Sequence, residues 1–214
     1  AQNNGTGDGY AVGITPYYPC GGAGHGGYGA FGISNSVQVP VGITFDSTTA
    51  PSTVGSGGGG YSPISIGGGG GGYVRLIVNG TLRLDGSISA NGGNGSGVGG
   101  GGGSGGGIYL TPATLSGSGS ITANGGNGAL AYGGGGGGGR IAIVNIAKTN
   151  SFTGIVSAYG GGGANYGGAG TIYYLNNSQP SGATPYGLLV LDNANNAGTN
   201  TSFDFISMYV TIQN

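Results

Sequence analysis

The side chains that could carry chemistry are few and scattered along this chain. His25 is the one histidine, and the acidic residues are five aspartates with no glutamate, namely Asp8, Asp46, Asp85, Asp192 and Asp204. A serine-histidine-aspartate triad needs partners placed around its histidine, and no such pattern surrounds His25. One histidine excludes a multi-histidine metal site, and no calcium-loop spacing occurs. We predict no catalytic residue, no metal site and no cofactor, and interpret His25 as a hydrogen-bonded or solvated group.

Other motifs with a chemical meaning add nothing. Gly-x-Gly-x-x-Gly occurs many times, but in a chain with 60 glycines among 214 residues it identifies no nucleotide site. Paired carboxylates for glycoside hydrolysis would have to come from distant aspartates. Cys20 is the one cysteine and cannot form an internal disulfide, so we predict a buried or inert thiol, with a bond between chains as the alternative. The chain is therefore interpreted as not being an enzyme.

Tyrosine and asparagine supply the remaining candidate sites. Several tyrosines adjoin a glycine or a proline, among them Tyr18, Tyr61, Tyr132, Tyr159 and Tyr166. Packing at strand ends fits them, and so does stacking on sugars or neighbouring subunits, because a tyrosine has an apolar face and a polar tip. For glycan contact we single out Tyr132, Tyr159 and Tyr166. Asn-x-Ser/Thr sequences, which are glycosylation acceptors in secreted proteins, begin at Asn4, Asn79, Asn94, Asn176 and Asn200.

Charge is scarce in this sequence. Only 4% of the residues are charged and the net charge is −1, whereas soluble domains average about 25% charged residues. A basic nucleic-acid footprint is excluded, and so is disorder driven by charge. Small soluble domains usually carry a net charge of about 2 to 8, so we expect this chain to associate with itself or to be coated by glycan. No apolar stretch is long enough for a membrane-spanning helix, and the start at Ala1 is interpreted as the product of signal-peptide cleavage.

Glycine runs alternate with short aliphatic segments at a near-constant spacing. The segment Gly86–Gly95 recurs as Gly119–Gly128, and Ile155–Gly161 is a degraded third copy. Aligned on Ala90, Ala123 and Ala158, the copies are 33 and 35 residues apart. A β-type segment precedes each copy and a further one follows the last, and the glycine runs lie between them at Gly57–Gly60, Gly67–Gly72, Gly99–Gly103, Gly133–Gly139 and Gly160–Gly163.

This pattern predicts an all-β fold without helices, a solenoid-like or layered stack of short strands. We expect the glycine runs to form extended limbs of the polyproline-II (polyglycine II) type, which pack closely because glycine has no Cβ. Flexible loops are the alternative for these runs. Asn79-Gly80 predicts a hairpin between two strands. Residues 1–56 are interpreted as an N-terminal cap or docking segment, 57–198 as a glycine-rich repeat domain of about four repeats of 31–35 residues, and 199–214 as a C-terminal strand able to pair between subunits.

The pattern from Ser104 to Ile143 resembles a class of glycine-rich secreted repeat proteins found on cell surfaces. It carries Ser-Gly-Gly-Gly-Ile-Tyr-Leu, then Ser-Ile-Thr-Ala-Asn-Gly-Gly-Asn-Gly, then seven glycines and Arg-Ile-Ala-Ile. The glycine runs are also similar in kind to the polyglycine sandwich of some phage tail-fibre adhesins, which carries recognition loops. These resemblances imply a secreted, extracellular or cell-surface location.

We predict a structural subunit of an extracellular filament or cell-surface matrix, with the chain itself as its partner. Apolar segments near both ends would join subunits head to tail by strand addition, through Tyr10, Val12, Ile14, Phe203, Phe205, Ile206, Met208, Val210 and Ile212. The alternative is a glycan- or receptor-binding adhesin displayed on a polyglycine scaffold, with glycans or other matrix components as partners. No nucleic acid is expected.

Overall fold

The fold is all-β in the part of the chain that the structure, a computed structural model, describes. Those residues are 2–3, 7, 19–34, 37–61, 63–129, 132–145, 150–176, 187–204 and 208–213. They form strands and no helix, so none of them lies in a helix able to cross a membrane. The strands are β1 (Gln2–Asn3), β2 (Ile33–Ser34), β3 (Val37–Gln38), β4 (Gly60–Tyr61), β5 (Ser65–Ile66), β6 (Tyr73–Arg83), β7 (Ser87–Ser89), β8 (Ser96–Gly97), β9 (Gly107–Gly117), β10 (Ser120–Thr122), β11 (Arg140–Asn145), β12 (Asn150–Phe152), β13 (Ile155–Ser157), β14 (Thr171–Asn176), β15 (Gly187–Asp192) and β16 (Met208–Gln213).

The largest sheet is built from successive repeats. Strands β6, β9, β11 and β14 pair in parallel and in sequence order, with β12 beside the second half of β9. Parallel neighbours need a long connection, and here each connection is the rest of one repeat. Strand β15 then joins β14 antiparallel, and β16 joins β15 in parallel. The regular parallel order therefore ends after the fourth repeat.

A second, three-stranded parallel sheet faces the first across an aliphatic core. It joins β7, β10 and β13, and aligns Ile88, Ile121 and Val156 across the strands. In the large sheet Val74, Ile108, Ile141 and Ile172 form a matching row. β-Branched aliphatic side chains, isoleucine or valine, at the same level in successive repeats let each turn of chain pack on the next. The core is made of Ala90, Ile108, Leu110, Leu115, Ile121, Ala123, Ile141, Ile143, Ala158 and Ile172.

The hairpin predicted at Asn79-Gly80 is wrong. Strand β6 runs through this dipeptide from Tyr73 to Arg83, with a bulge between Val78 and Thr81. A hairpin would fold the two halves onto each other, but both halves pair instead with the same long neighbour, β9. The dipeptide therefore absorbs an irregularity in register, as β-bulges do.

The glycine runs are ordered limbs, stacked like the strands that they lead into. We number them as the first limb (67–72), second limb (99–106), third limb (133–139) and fourth limb (165–170). Backbone N–H groups three residues apart bind the next limb: Gly68 and Gly71 donate to Gly101 and Ser104, and Gly102 and Gly105 donate to Gly134 and Gly137, over 2.9–3.0 Å. Return limbs at 90–95, 123–128 and 158–162 follow the short strands and are linked in the same way.

The third limb shows why every position in it is glycine. All seven of its N–H groups donate to backbone carbonyls. A Cβ added at any of the seven would meet a neighbouring carbonyl oxygen closer than 3.0 Å, and each third residue faces the same neighbour. Positions 133, 136 and 139 face the second limb, positions 134 and 137 face Ala30 and Gly27, and positions 135 and 138 face the return limb at Gly161 and Ala158.

The N-terminal segment belongs to the same packing. Gly134 and Gly137 donate to the carbonyls of Cys20 and Ala23, while Gly59 donates to Gly21 and Gly101 donates to Gly59. Residues 20–32 and 55–60 therefore lie as a further layer of main chain against the stacked limbs. We call the whole array of limbs and N-terminal segments the glycine lattice.

Substitution of Gly136 by alanine is expected to destabilise the fold, because its Cβ would meet the carbonyl oxygen of Gly103. Overpacking of this kind costs about 1–3 kcal/mol, and each kcal/mol lowers Tm by roughly 2–4 °C in a chain of this size. Gly69→Ala is the matched control: Gly69 occupies the equivalent position of the first limb, and its Cβ would have no atom within 4 Å. Thermal unfolding of the monomer measures both, and equal Tm values would contradict the packing described here.

Candidate functional site

A buried polar cluster lies where the N-terminal segment meets the glycine lattice. His25 is fully buried, and its Nδ1 donates to the carbonyl of Gly105 at 2.8 Å. Its Nε2 lies 3.3 Å from a carboxylate oxygen of Asp46, and the ring stacks on Phe45 at 4.5 Å between centroids. Of the two environments predicted for His25, hydrogen-bonded or solvated, the structure shows the hydrogen-bonded one. Complete burial also leaves this imidazole no surface on which to meet a substrate.

Asp46 collects donors from the loop that follows it. Its carboxylate accepts backbone N–H bonds from Ser47, Ser52 and Thr53 and a hydroxyl bond from Thr53. Burial by itself would raise the pKa of Asp46, but the hydrogen bonds from His25 and from this loop outweigh it and hold that pKa well below its usual range. Asp46 has a positive φ of 68°, a conformation that Asp and Asn adopt more readily than most residues. The ionised carboxylate therefore organises the loop.

Arg140 is the second charged residue inside the molecule, with 2% of its surface exposed. It follows the third limb directly, and its guanidinium donates to four groups at 2.8–3.2 Å, which are Phe45 O, Thr48 Oγ1, Thr171 Oγ1 and Ser202 O. Burial lowers its pKa, and Asp204 and Asp46 act in the opposite direction. Arg140 thus links the N-terminal segment, the fourth repeat and the C-terminal segment. Its planar guanidinium group has five N–H donors and can bind several acceptors at once.

Two rows of asparagines run along the exposed side of the return limbs. Asn91 accepts the N–H of Asn124, and Asn124 accepts the N–H of Tyr159, over 2.7–2.8 Å. A parallel row begins at Asn94 and passes through Asn127 to Gly162. These side chains supply carbonyl groups where the main chain of the neighbouring repeat needs an acceptor. The recurrence of Ala-Asn-Gly-Gly-Asn-Gly was the sequence signal for this ladder.

Cys20 is buried, which confirms its predicted burial. Burial raises the pKa of its thiol to about 11, with the Gly101 backbone acting in the opposite direction. At neutral pH this cysteine is therefore a protonated, sterically shielded thiol. Its backbone is also part of the lattice, because its carbonyl accepts the N–H of Gly134.

The predicted assembly residues lie partly outside the described residues. Tyr10, Val12, Ile14, Phe205 and Ile206 fall there, and Met208 is described only as the first residue of β16. The other three are exposed at the last repeat, Phe203 to 40%, Val210 to 45% and Ile212 to 69%. Phe203 and Ile212 line one groove of about 680 Å³ with Leu191, Asn195, Ala197 and Thr199.

The floor of this groove is a fifth limb (198–201). Gly198 lies against Gly167 of the fourth limb, and the N–H of Thr199 donates to Tyr166. Asn193, Thr199 and Thr201 line the groove, but their side-chain donors already bind the carbonyls of Gly167, Tyr28 and Ala169. The described lining contains no charged side chain. These three side-chain donors are therefore engaged within the chain, and the rest of the described lining includes apolar side chains, main chain and the asparagines Asn195 and Asn196.

The opposite end of the stack is open. In later repeats one face of each limb packs on the preceding limb: a Cβ at Gly103 or Gly106 would meet the carbonyl of Gly69 or Gly72. On the first limb the same face has no neighbour among the described residues, since none of their atoms lies within 4 Å of a Cβ added at Gly69 or Gly72. Among the described strands, β6 pairs on one side only.

The described candidate tyrosines and sequon asparagines differ in exposure. Tyr132 and Tyr166 are 43% and 40% exposed, whereas Tyr159 is half-buried. Burial first, and then Asp192, raises the pKa of Tyr159. Asn79, Asn94 and Asn200 are exposed, but Asn94 is engaged in the asparagine ladder. Asn4 lies outside the described residues, and for Asn176 only its place at the end of β14 is described. Among the described residues, no hydrogen bond or ring contact joins one of these tyrosines to another or to a sequon asparagine.

Comparison with protein-family models, with curated proteins and with solved structures finds no match for this chain. Function has therefore to be inferred from the geometry of the molecule. Sequence reasoning did not find the cluster of His25, Asp46 and Arg140, because its members are separated by 21 to 115 residues and no local pattern marks them. It did single out the C-terminal residues that line the groove.

Asp46 makes stability depend on pH in a defined direction. Its lowered pKa means that the ionised form stabilises the fold above the unfolded pKa of about 3.9, and that this contribution disappears as the pH falls further. Asp46→Asn keeps the shape and tolerates the positive φ, but loses the charge. We expect the variant to be less stable at pH 7 and its stability to fall less between pH 5 and pH 2. Urea unfolding across that range measures this, and identical pH profiles for the two proteins would contradict it.

Proposed function

We propose that this chain is a structural subunit of an extracellular filament or cell-surface matrix, and that it assembles head to tail. We further interpret its architecture as a solenoid-like stack, with limbs of the polyglycine II type. Hydrogen bonds repeating every third residue support that interpretation, because a polyproline-II helix has three residues per turn. Parallel repeats in regular order support the solenoid.

The observation that carries the proposal is that the two ends of the stack differ and are both unfinished. The first limb presents glycine faces at Gly69 and Gly72 that no described residue covers. The last repeat presents a groove with exposed Phe203 and Ile212. Solenoid repeats contact only their neighbours and need their ends covered, and a subunit stacked on each end would provide this cover. Dissimilar ends that fit each other generate an open chain of subunits.

The low net charge and the engaged polar groups of the interior agree with a rigid structural subunit. The net charge of −1 gives little repulsion between copies. The charged groups inside the molecule are held by several hydrogen bonds each, and His25 is sealed from solvent. Such an interior favours a rigid building element over an enzyme, which needs an accessible reactive group.

Placing charge on the last strand is expected to stop assembly. In Val210→Lys/Ile212→Lys both exposed apolar side chains become cations, while the β15–β16 pairing is left in place. Thr211→Lys is the control on the opposite face of the same strand. Negative-stain electron microscopy should show regular fibres for the wild type and the control and dispersed particles for the double variant. Point substitution is preferable to removal of residues 202–214, because Arg140 binds the Ser202 carbonyl. Fibres of the double variant would exclude this end as a contact.

A glycan-binding adhesin is the second candidate, favoured by the exposure of Tyr132 and Tyr166 next to glycine limbs. It predicts discrete particles in place of fibres. On a glycan array, Tyr132→Ala/Tyr166→Ala should then lose signal, while Tyr159→Phe, which alters a half-buried tyrosine, should retain it. Equal signal from the double variant and the wild type would remove these tyrosines from consideration.

A further inference from the structure

We propose that the open face of the first limb, at Gly69 and Gly72, is completed by the fifth limb and groove of a second copy of this chain. The inference rests on the proposed self-assembly and names its contact. The glycine lattice would then continue from one subunit into the next, main chain on main chain. We infer that another copy of this chain covers the face, because in every later repeat the equivalent face is covered by a limb of the same lattice.

The same face is covered at every later level of the stack. Equivalent positions lie one repeat apart: Gly69, Gly103 and Gly136 in one row, Gly72, Gly106 and Gly139 in the next. In the second and third limbs, each of these glycines faces a carbonyl of the limb before it, and the fourth limb continues both rows through Gly167 and Gly170. Each therefore has to be glycine. Gly69 and Gly72 are under no such constraint within the described chain, and yet the lattice sequence continues through them.

Hydrogen bonding of the first limb is also incomplete. All seven residues of the third limb donate through their N–H groups, but in the first limb only Gly68 and Gly71 donate to described backbone. Gly69 and Gly72 are exposed, so water can serve their N–H groups. A second copy would replace this water with carbonyl oxygens, as occurs at each internal level.

The far end of the stack has the form that such a limb requires. The fifth limb continues the series, because Gly198 lies on Gly167 as Gly167 lies on Gly136. The groove of about 680 Å³ that this limb lines also has apolar side chains on its lining, Phe203 and Ile212 among them. A glycine limb has no side chains and is the narrowest segment that this sequence can offer. The side-chain donors of Thr199 and Thr201 are engaged within the chain and are therefore not free to bind a sugar.

Two variants test the two halves of the contact. Gly69→Val/Gly72→Val places side chains in the open space beside the first limb, where nothing within the subunit would clash. Ala197→Trp fills the groove from an exposed position on its lining. Gly80→Val/Gly86→Val is the matched control, since these glycines also have no atom within 4 Å of an added Cβ. Thermal unfolding of dilute protein checks that all the variants keep the monomer fold.

Sedimentation velocity then measures association. We expect the first-limb variant and the groove variant each to associate at least tenfold more weakly than the wild type, and the control to behave like the wild type. An equimolar mixture of the two defective variants should form dimers and nothing larger, because each variant retains one intact half of the contact.

Wild-type association of the first-limb variant would overturn the inference while leaving self-assembly intact. Loss of association by the first-limb variant alone would replace the head-to-tail contact with a symmetric one. A wild type that never associates would sink the proposed function itself.

Discussion

The structure depends on direct packing of main chain against main chain. In an ordinary β protein the side chains hold two sheets about 10 Å apart, whereas in the third limb each residue is hydrogen-bonded to its neighbours and a single added Cβ would collide with a carbonyl oxygen. Ordering a residue costs about 1–2 kcal/mol of entropy, and the net gain per hydrogen bond is about 0.5–1.5 kcal/mol. In the glycine lattice the free energy gained from hydrogen bonds therefore roughly equals the entropy lost on ordering the chain, and the fold needs a second source of stability.

That source is the aliphatic core, which also sets the register of the lattice. Each stacked limb leads directly into a strand, so the alignment of Val74, Ile108, Ile141 and Ile172 fixes the level of the glycines that precede them. In a parallel sheet a slip of one residue would turn these side chains away from the core. The same slip would bring Arg140 into the position of Gly139, where an added Cβ would meet the carbonyl oxygen of Gly106. The aliphatic core and the glycine lattice thus both disfavour the same shift in register.

The sequence was informative wherever the structure repeats. The copies aligned at Ala90, Ala123 and Ala158 predicted steps of 33 and 35 residues, and the pairings Ser87–Ser120 and Ser120–Ile155 have those steps. Features that occur once were not predictable in this way. Asn79-Gly80 has the local signature of a hairpin, and only the long partner β9 makes it a bulge. His25 binds the carbonyl of Gly105, 80 residues away, through a contact that exists only once the layers are packed.

The β6 edge of the large sheet suggests why two copies would meet at the first limb through packed main chain, and not by addition of a strand to the sheet. Exposed strand edges invite uncontrolled pairing, and natural proteins blunt them with charges and bulges. Strand β6 carries Arg75 and Arg83, two of the four basic residues in the chain, together with the bulge after Val78. The adjoining first limb has no such protection, because its open face is glycine alone. A contact limited to that face would demand a partner without side chains at matching positions, and the lattice of this same chain provides such a partner.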